Sequence, residues 1–264
     1  MKSGSFFALA AGFVAAFAVT CADAADLPTH KTPFVEPPPP AAPQFQFYVR
    51  GDVGASWFEQ NRGSWTGPGA GDPTVTEALS APASFTGGAA AGVQFLPGLR
   101  ADLSYDYLGN FSVHGNPIAP GGGHASMDGG VTSNLLMANL FVEPLSLMNV
   151  NTGFVRPFVT GGIGVALNDM GDWTRTNLAV GTPVRTFSGA SQTNFAWDVG
   201  GGLSFDIASL FHHAAFVDLT YRFIDAGRVT GGYLPVSDKG SSPRQAFNYD
   251  LTANVATVGL RVPF

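Results

Sequence analysis

Leu99–Tyr107 reads LRADLSYDY, and this stretch decides the fold. Leu99, Ala101, Leu103, Tyr105 and Tyr107 alternate with Arg100, Asp102, Ser104 and Asp106. Side chains of an extended chain point to opposite sides in turn, so the stretch is a strand with one apolar face and one charged face. Pro97-Gly98 precedes it and suits a tight turn, the proline fixing φ and the glycine accepting a positive φ.

The same style extends in both directions. In Phe45–Trp57 (FQFYVRGDVGASW), Phe45, Phe47, Val49, Val53, Ala55 and Trp57 oppose Gln46, Tyr48, Arg50, Asp52, Gly54 and Ser56. SFTGGAAAGVQF follows from Ser84, and TSNLLMANLFVE from Thr132. The latter alternates less cleanly, because Leu135, Met137 and Phe141 stand opposite Leu136, Ala138, Leu140 and Val142. VRPFVTGGIGVALN from Val155, NFAWDVGGGLSFD from Asn194, AFVDLTYRF from Ala215 and LTANVATVGLRVPF from Leu251 complete a set of eight segments, and no helix of useful length is expected. Connections are long after the first, third, fifth and seventh segments and shorter after the others.

These features predict an all-β protein, an eight-stranded antiparallel up-and-down transmembrane β-barrel, with long loops outside the cell and short turns in the periplasm. No stretch after the N-terminal one reaches the roughly 18 apolar residues of a spanning helix. A closed ring of strands satisfies every backbone amide and carbonyl without water. Aromatics gather near segment ends, at Phe45, Phe47, Trp57, Tyr105, Tyr107, Phe205, Tyr221, Phe223 and Phe264, as in interfacial girdles. Arg50, Arg100, Arg156, Arg222 and Arg261 and Asp52, Asp102, Asp106, Asp198 and Asp218 share the face opposite the apolar one. Inside an eight-stranded barrel, which side chains nearly fill, these charges either pair into a plug or line a narrow pore.

The N-terminus reads separately. Lys2, the apolar run Phe6–Val19 and the small-x-small pattern Ala22-Asp23-Ala24 predict a cleaved export signal over residues 1–24, with Ala22 and Ala24 at the cleavage pattern. Residues 25–43 are a Pro-rich periplasmic linker, and 44–264 the barrel domain. Cleavage removes Cys21, and with it disulfides, thiolate metal sites and cysteine nucleophiles. Thr20 stands where an acylated Cys21 would need a small neighbour, which disfavours a lipoprotein. The 13 basic and 19 acidic residues leave a net charge of −6, and the loss of Lys2 and Asp23 does not change it. Scattered Lys and Arg with no basic stripe exclude nucleic acid as a partner.

YVRGDVGASW, LRADLSYDYLG, RPFVTGGIGVA, TNFAWDVGGGLSFD, DLTYRFIDAG and the closing VGLRVPF resemble the OmpA/OmpX-like porin-family surface proteins of alphaproteobacteria, over Phe47 to Phe264. The resemblance implies that Val258, Leu260, Val262 and Phe264 form the terminal signal read by the barrel-assembly machinery. It also implies a place in the cell outer membrane, with outer-membrane lipid, lipopolysaccharide and, during export, periplasmic chaperones as partners.

Catalytic chemistry finds little support. His30 lies in the linker, His114 and His124 in a long loop, and His212 and His213 in a short turn, none beside a nucleophile. His114 and His124 lack ligand spacing for a metal, and Gly161-Gly162-Ile163-Gly164 lacks the helix and Lys-Ser/Thr of a phosphate loop. No enzyme activity, metal or cofactor is expected. Three functions fit: a structural barrel that supports envelope integrity and presents surface loops, a narrow channel for small solutes, or an adhesin or ligand-binding protein acting through its loops. Trp65, Trp173, Phe187 and Tyr233 in those loops either form a binding surface or pack over the barrel mouth.

Overall fold

The structure, a computed structural model, describes residues 45–59, 62–118, 125–150, 152–177, 182–208, 213–236 and 241–264. The export signal with Ala22 and Ala24, the Pro-rich stretch, His30, His124 and His212 lie outside the described residues. Among the described residues eleven strands form one antiparallel sheet: β1 (Gln46–Phe58), β2 (Arg62–Thr66), β3 (Thr74–Ser80), β4 (Ser84–Leu96), β5 (Leu99–Pro117), β6 (Ala125–Val142), β7 (Val155–Asn177), β8 (Thr182–Phe187), β9 (Ala190–Asp206), β10 (Phe216–Thr230) and β11 (Gln245–Pro263). A four-residue helix, α1 (Pro144–Leu147), interrupts the connection from β6 to β7.

The pairings β1–β4–β5–β6–β7–β9–β10–β11 return to β1, so eight strands close a ring with no free edge. The first and last residues of this ring meet at one end, where Phe264 N–H donates to Phe47 O at 2.9 Å and the two rings stack. That end is called lower here. The Pro97-Gly98 turn is there too, with Gly98 at φ +81°.

The strand count differs from the eight expected because three strands arise in stretches read as loops. β1 stops at Phe58 and β4 begins at Ser84, and above them the β2–β3 hairpin fills the gap. β3 pairs with β5 at Leu79↔Gly115, and β2 with β11 at Thr66↔Gln245. β8 folds back on β7. All three are short and lie among Gly and Pro, so their alternation is too brief to stand out in the sequence.

The ring changes character with height. Over the lower part its outer surface is apolar and uncharged, with Val49, Val53, Leu103, Leu140, Ile163, Val199, Leu219 and Val258 exposed. At the upper rim of this belt, Tyr105 donates to Asn134 Oδ1 at 2.6 Å and Tyr221 to Asn254 Oδ1 at 2.9 Å. Above it the outer surface is polar, with Asn110, Ser112 and His114 outward on β5, while Phe111 and Val113 point in and are buried.

Two devices accomplish this inversion. In β5 the apolar residues other than Leu108 stay at odd positions, but a bulge between Tyr107 and Gly109 turns the backbone over, so odd positions face outward below and inward above. Gly109 occupies φ +107°, which favours glycine. Irregularities near Met170–Trp173 of β7 and Asp225–Arg228 of β10 do the same, bringing Trp173 and Val229 inside. β6 and β11 carry no bulge within their ring pairing at this height, and there the sequence itself changes phase. In β11 even-numbered Val258, Leu260 and Val262 face out below, whereas odd-numbered Phe247, Tyr249 and Leu251 face in above. Leu135, Met137 and Phe141 of β6 also point inward and are buried, Leu135 and Met137 in the apolar cluster and Phe141 at the lower end beneath Arg100.

Candidate functional site

The inward faces of β1, β5, β9, β10 and β11 deliver their charges to one place, because every second residue of each strand points to the axis. Lowest lies Arg100, whose Nη1 is 3.3 Å from Glu143 Oε1 and whose Nη2 is 3.6 Å from Asp218 Oδ2. Arg261 donates from Nε to Asp218 Oδ2 at 3.0 Å and from Nη2 to Ser204 Oγ at 2.9 Å. Both guanidiniums lie on aromatic rings, Arg100 over Phe141 at 4.6 Å and Arg261 over Phe216 at 4.1 Å, an arrangement that attracts a desolvated cation.

Higher up, Arg50 bridges Asp52 at 3.1 Å and Asp102 at 3.2 Å. Asp102 also accepts from Tyr48 Oη at 3.1 Å and Asn139 Nδ2 at 2.8 Å. Arg222 then spans Asp106 at 3.0 Å and Asp198 at 3.4 Å, and Ser104 Oγ donates to Asp106 at 2.7 Å. Four buried arginines thus face six buried carboxyl groups, Glu143 included.

Above the charges Ser56 Oγ donates to Leu108 O at 2.6 Å, and Asn168 Nδ2 to Ala226 O at 2.7 Å. Then the interior turns apolar. Leu108, Phe111, Met127, Leu135, Met170, Phe247, Tyr249 and Leu251 are buried in one cluster, and Trp173 stacks on Phe187 at 4.3 Å between centroids. Trp65, Trp173 and Phe187 are buried in this cap, and Tyr233 is exposed. Interior side chains are shut off from water at successive heights, from Arg100 through Asp198 to Phe111, so the ring holds a packed core.

Of the ten charged residues picked from the sequence, nine meet in this network. Arg156 stays apart, half-buried at the lower mouth, where it pairs with Asp206 at 3.4 Å and lies over Phe216. Its position on the inward face is at the strand's second residue, too near the end to reach the others. Glu143 was missed because it follows β6 in a turn, and the signal for it is its position one residue beyond the partner of Leu99. Tyr48, Asn139 and Ser204 were missed as network members because uncharged residues on a polar face give no sign of which carboxylate they serve. Val258, Leu260 and Val262 point outward into the apolar belt, and Phe264 stacks on Phe47.

His114 pairs with Asp128 on the outer surface, and His213 is exposed. Among the described residues no three His, Cys, Asp or Glu side chains come together as a metal site.

A closed antiparallel ring, apolar outside and ionic within, matches what the family comparison finds. The family model for the outer membrane protein beta-barrel domain covers residues 7–264. The chain belongs to that family. It is accordingly a protein of the cell outer membrane. No curated protein matches it. Among solved structures it is similar to the outer membrane protein OprG from Pseudomonas aeruginosa, with 14% identity over 83% of this chain and 95% of that one and a TM-score of 0.46. The outer membrane protein AlkL in lipid bilayers gives 14% identity, 86% and 94% coverage and a TM-score of 0.45. Neisserial surface protein A gives 17%, 83% and 97%, and 0.37.

Proposed function

We propose that this outer-membrane protein is an eight-stranded transmembrane β-barrel that serves as a sealed structural element of the envelope and presents a polar collar outside the cell. The burial of interior side chains at every height carries this reading, because a water-filled channel needs a wet lumen. From Phe47 to Trp57 about ten residue steps of ~3.3 Å, tilted by ~40°, give an apolar belt of about 25 Å, the height of an outer-membrane barrel. Lipid and lipopolysaccharide are the partners of that belt. Val258, Leu260, Val262 and Phe264 act as the signal for the assembly machinery, after an export step in which periplasmic chaperones hold the chain.

The test is heat-modifiable gel mobility of the purified protein, followed by single-channel recording in planar bilayers on the same sample. A heat-shifted band with a flat current trace is expected. Discrete conductance steps would replace this reading with the channel, and a protein that neither shifts nor enters bilayers would remove the membrane-spanning assignment.

A further inference from the structure

The collar contains a second constellation of charge. Where β2, β3 and the β7–β8 hairpin converge, a cavity of about 310 Å³ is lined by Trp65, Gly67, Pro68, Asp72, Pro73, Val75, Arg175 and Arg185. Arg175 and Arg185 are direct cross-strand partners of β7 and β8. Like charges in that position repel. Neither takes part in any ion pair among the described residues. Arg175 lies over the Trp65 ring at 5.2 Å and its Nε is a buried donor without an acceptor, while the Trp65 indole N–H serves the buried Glu77 carboxyl. Burial and the neighbouring Arg185 push the Arg175 guanidinium below its usual range, with the Asp72 and Glu77 carboxyls pulling more weakly the other way.

The wall opposite is held in place. Asp72 Oδ2 accepts from Gly69 N–H at 2.8 Å, and Arg244 reaches the Ala70 carbonyl from Nη1 at 3.0 Å. The cavity is therefore a formed pocket, with the Arg175 and Arg185 guanidiniums on one side, Pro68, Pro73 and Val75 as apolar lining, and the Asp72 carboxylate at its edge.

We infer that this pocket binds a small organic anion, a carboxylate or phosphate on a body about the size of one sugar ring, with the anionic group between Arg175 and Arg185 and a hydroxyl turned to Asp72. The guanidinium fork suits either group, because both accept paired N–H donors. The volume lies at the small end for ligand pockets. An acceptor there relieves the Arg175–Arg185 repulsion and gives the buried Arg175 Nε the partner whose absence is costly. The anion comes either from soluble compounds or from acidic sugars of lipopolysaccharide.

The full chain, refolded in micelles, is titrated calorimetrically with glucuronate, glucose 6-phosphate and neutral glucose. Both anions are expected to bind with one-to-one stoichiometry, and glucose at least about tenfold more weakly. Arg175→Gln and Arg185→Gln each weaken the anions by at least about tenfold, whereas Arg185→Lys, which keeps the charge, loses less. Arg228→Gln, at an exposed residue paired with Asp250 and outside the pocket lining, changes nothing. Retained heat-modifiable mobility shows that each variant is folded. Equal affinity for glucose and glucuronate, an equal loss in Arg228→Gln, or no saturable heat overturns the site. Repeating the titration in vesicles with and without lipopolysaccharide distinguishes the sources: blocked glucuronate binding assigns the membrane's own sugars, and undiminished binding a soluble anion.

Discussion

Replacing Arg222 by methionine tests whether the barrel interior is dry. Arg222 holds Asp106 at 3.0 Å and Asp198 at 3.4 Å, and all three side chains are buried. Methionine retains much of the volume and removes the charge, leaving two carboxylates facing each other across the axis. Removing one partner of a buried ion pair costs about 3–5 kcal/mol. With a urea slope of roughly 3 kcal/mol/M, the unfolding midpoint falls by about 1–1.7 M. The folded fraction is read from heat-modifiable mobility of protein refolded in vesicles. The triple variant Arg222→Met, Asp106→Asn, Asp198→Asn recovers most of the loss, since no uncompensated charge remains. A midpoint for Arg222→Met within about 0.3 M of the native protein refutes the reasoning: it gives the pair the ~0–1 kcal/mol of a solvated surface bridge, and therefore a wet lumen.

Two further expectations concern the collar and its junction with the belt. Burial raises the Glu77 carboxyl from its ordinary 4.5 to about 7, with the Trp65 indole and Arg175 pulling more weakly the other way. The folded protein thus holds this proton more tightly than the unfolded chain, so Glu77 contributes stability in full below pH 4.5 that is lost as pH rises through about 7. The urea midpoint should be higher at pH 5 than at pH 8, and Glu77→Gln should shrink that difference; an unchanged difference refutes the shift. Gly109→Val places a β-branched residue at φ +107° with its Cβ 2.6 Å from the Phe85 carbonyl, and a loss of about 2–3 kcal/mol is expected. Gly51→Ala, whose Cβ meets nothing within 4 Å, should leave the urea midpoint nearly unchanged.

The lower half of the ring is legible in the sequence because β1, β5, β9, β10 and β11 there repeat one rule, apolar out and charged in. Arg50, Asp102, Asp106 and Arg222 could be assigned to a common interior from parity alone. The upper half is not legible in the same way. In β5 the apolar residues Phe111 and Val113 keep the odd parity of Leu103, Tyr105 and Tyr107, so parity gives no notice that Phe111 faces the opposite way from Tyr105. A single backbone torsion at Gly109 decides it. The hairpin β2–β3 and strand β8 escape for another reason: they are held by pairing to β11, β5 and β7, and those contacts are far apart in the chain. Trp65 and Arg175, from opposite halves of the sequence, share a pocket that no local pattern foretells.

The phase reversals have a mechanical consequence. Moving the strands along the membrane normal by one turn of the pleat would bring Asn110 and Ser112 into hydrocarbon at one rim and strand Leu103 or Leu140 in water at the other. Both penalties fall on that one movement, and they add. In the membrane placement proposed above, the protein is thereby keyed to one depth, like a float with a fixed waterline, and the collar stands at a set elevation above the lipid.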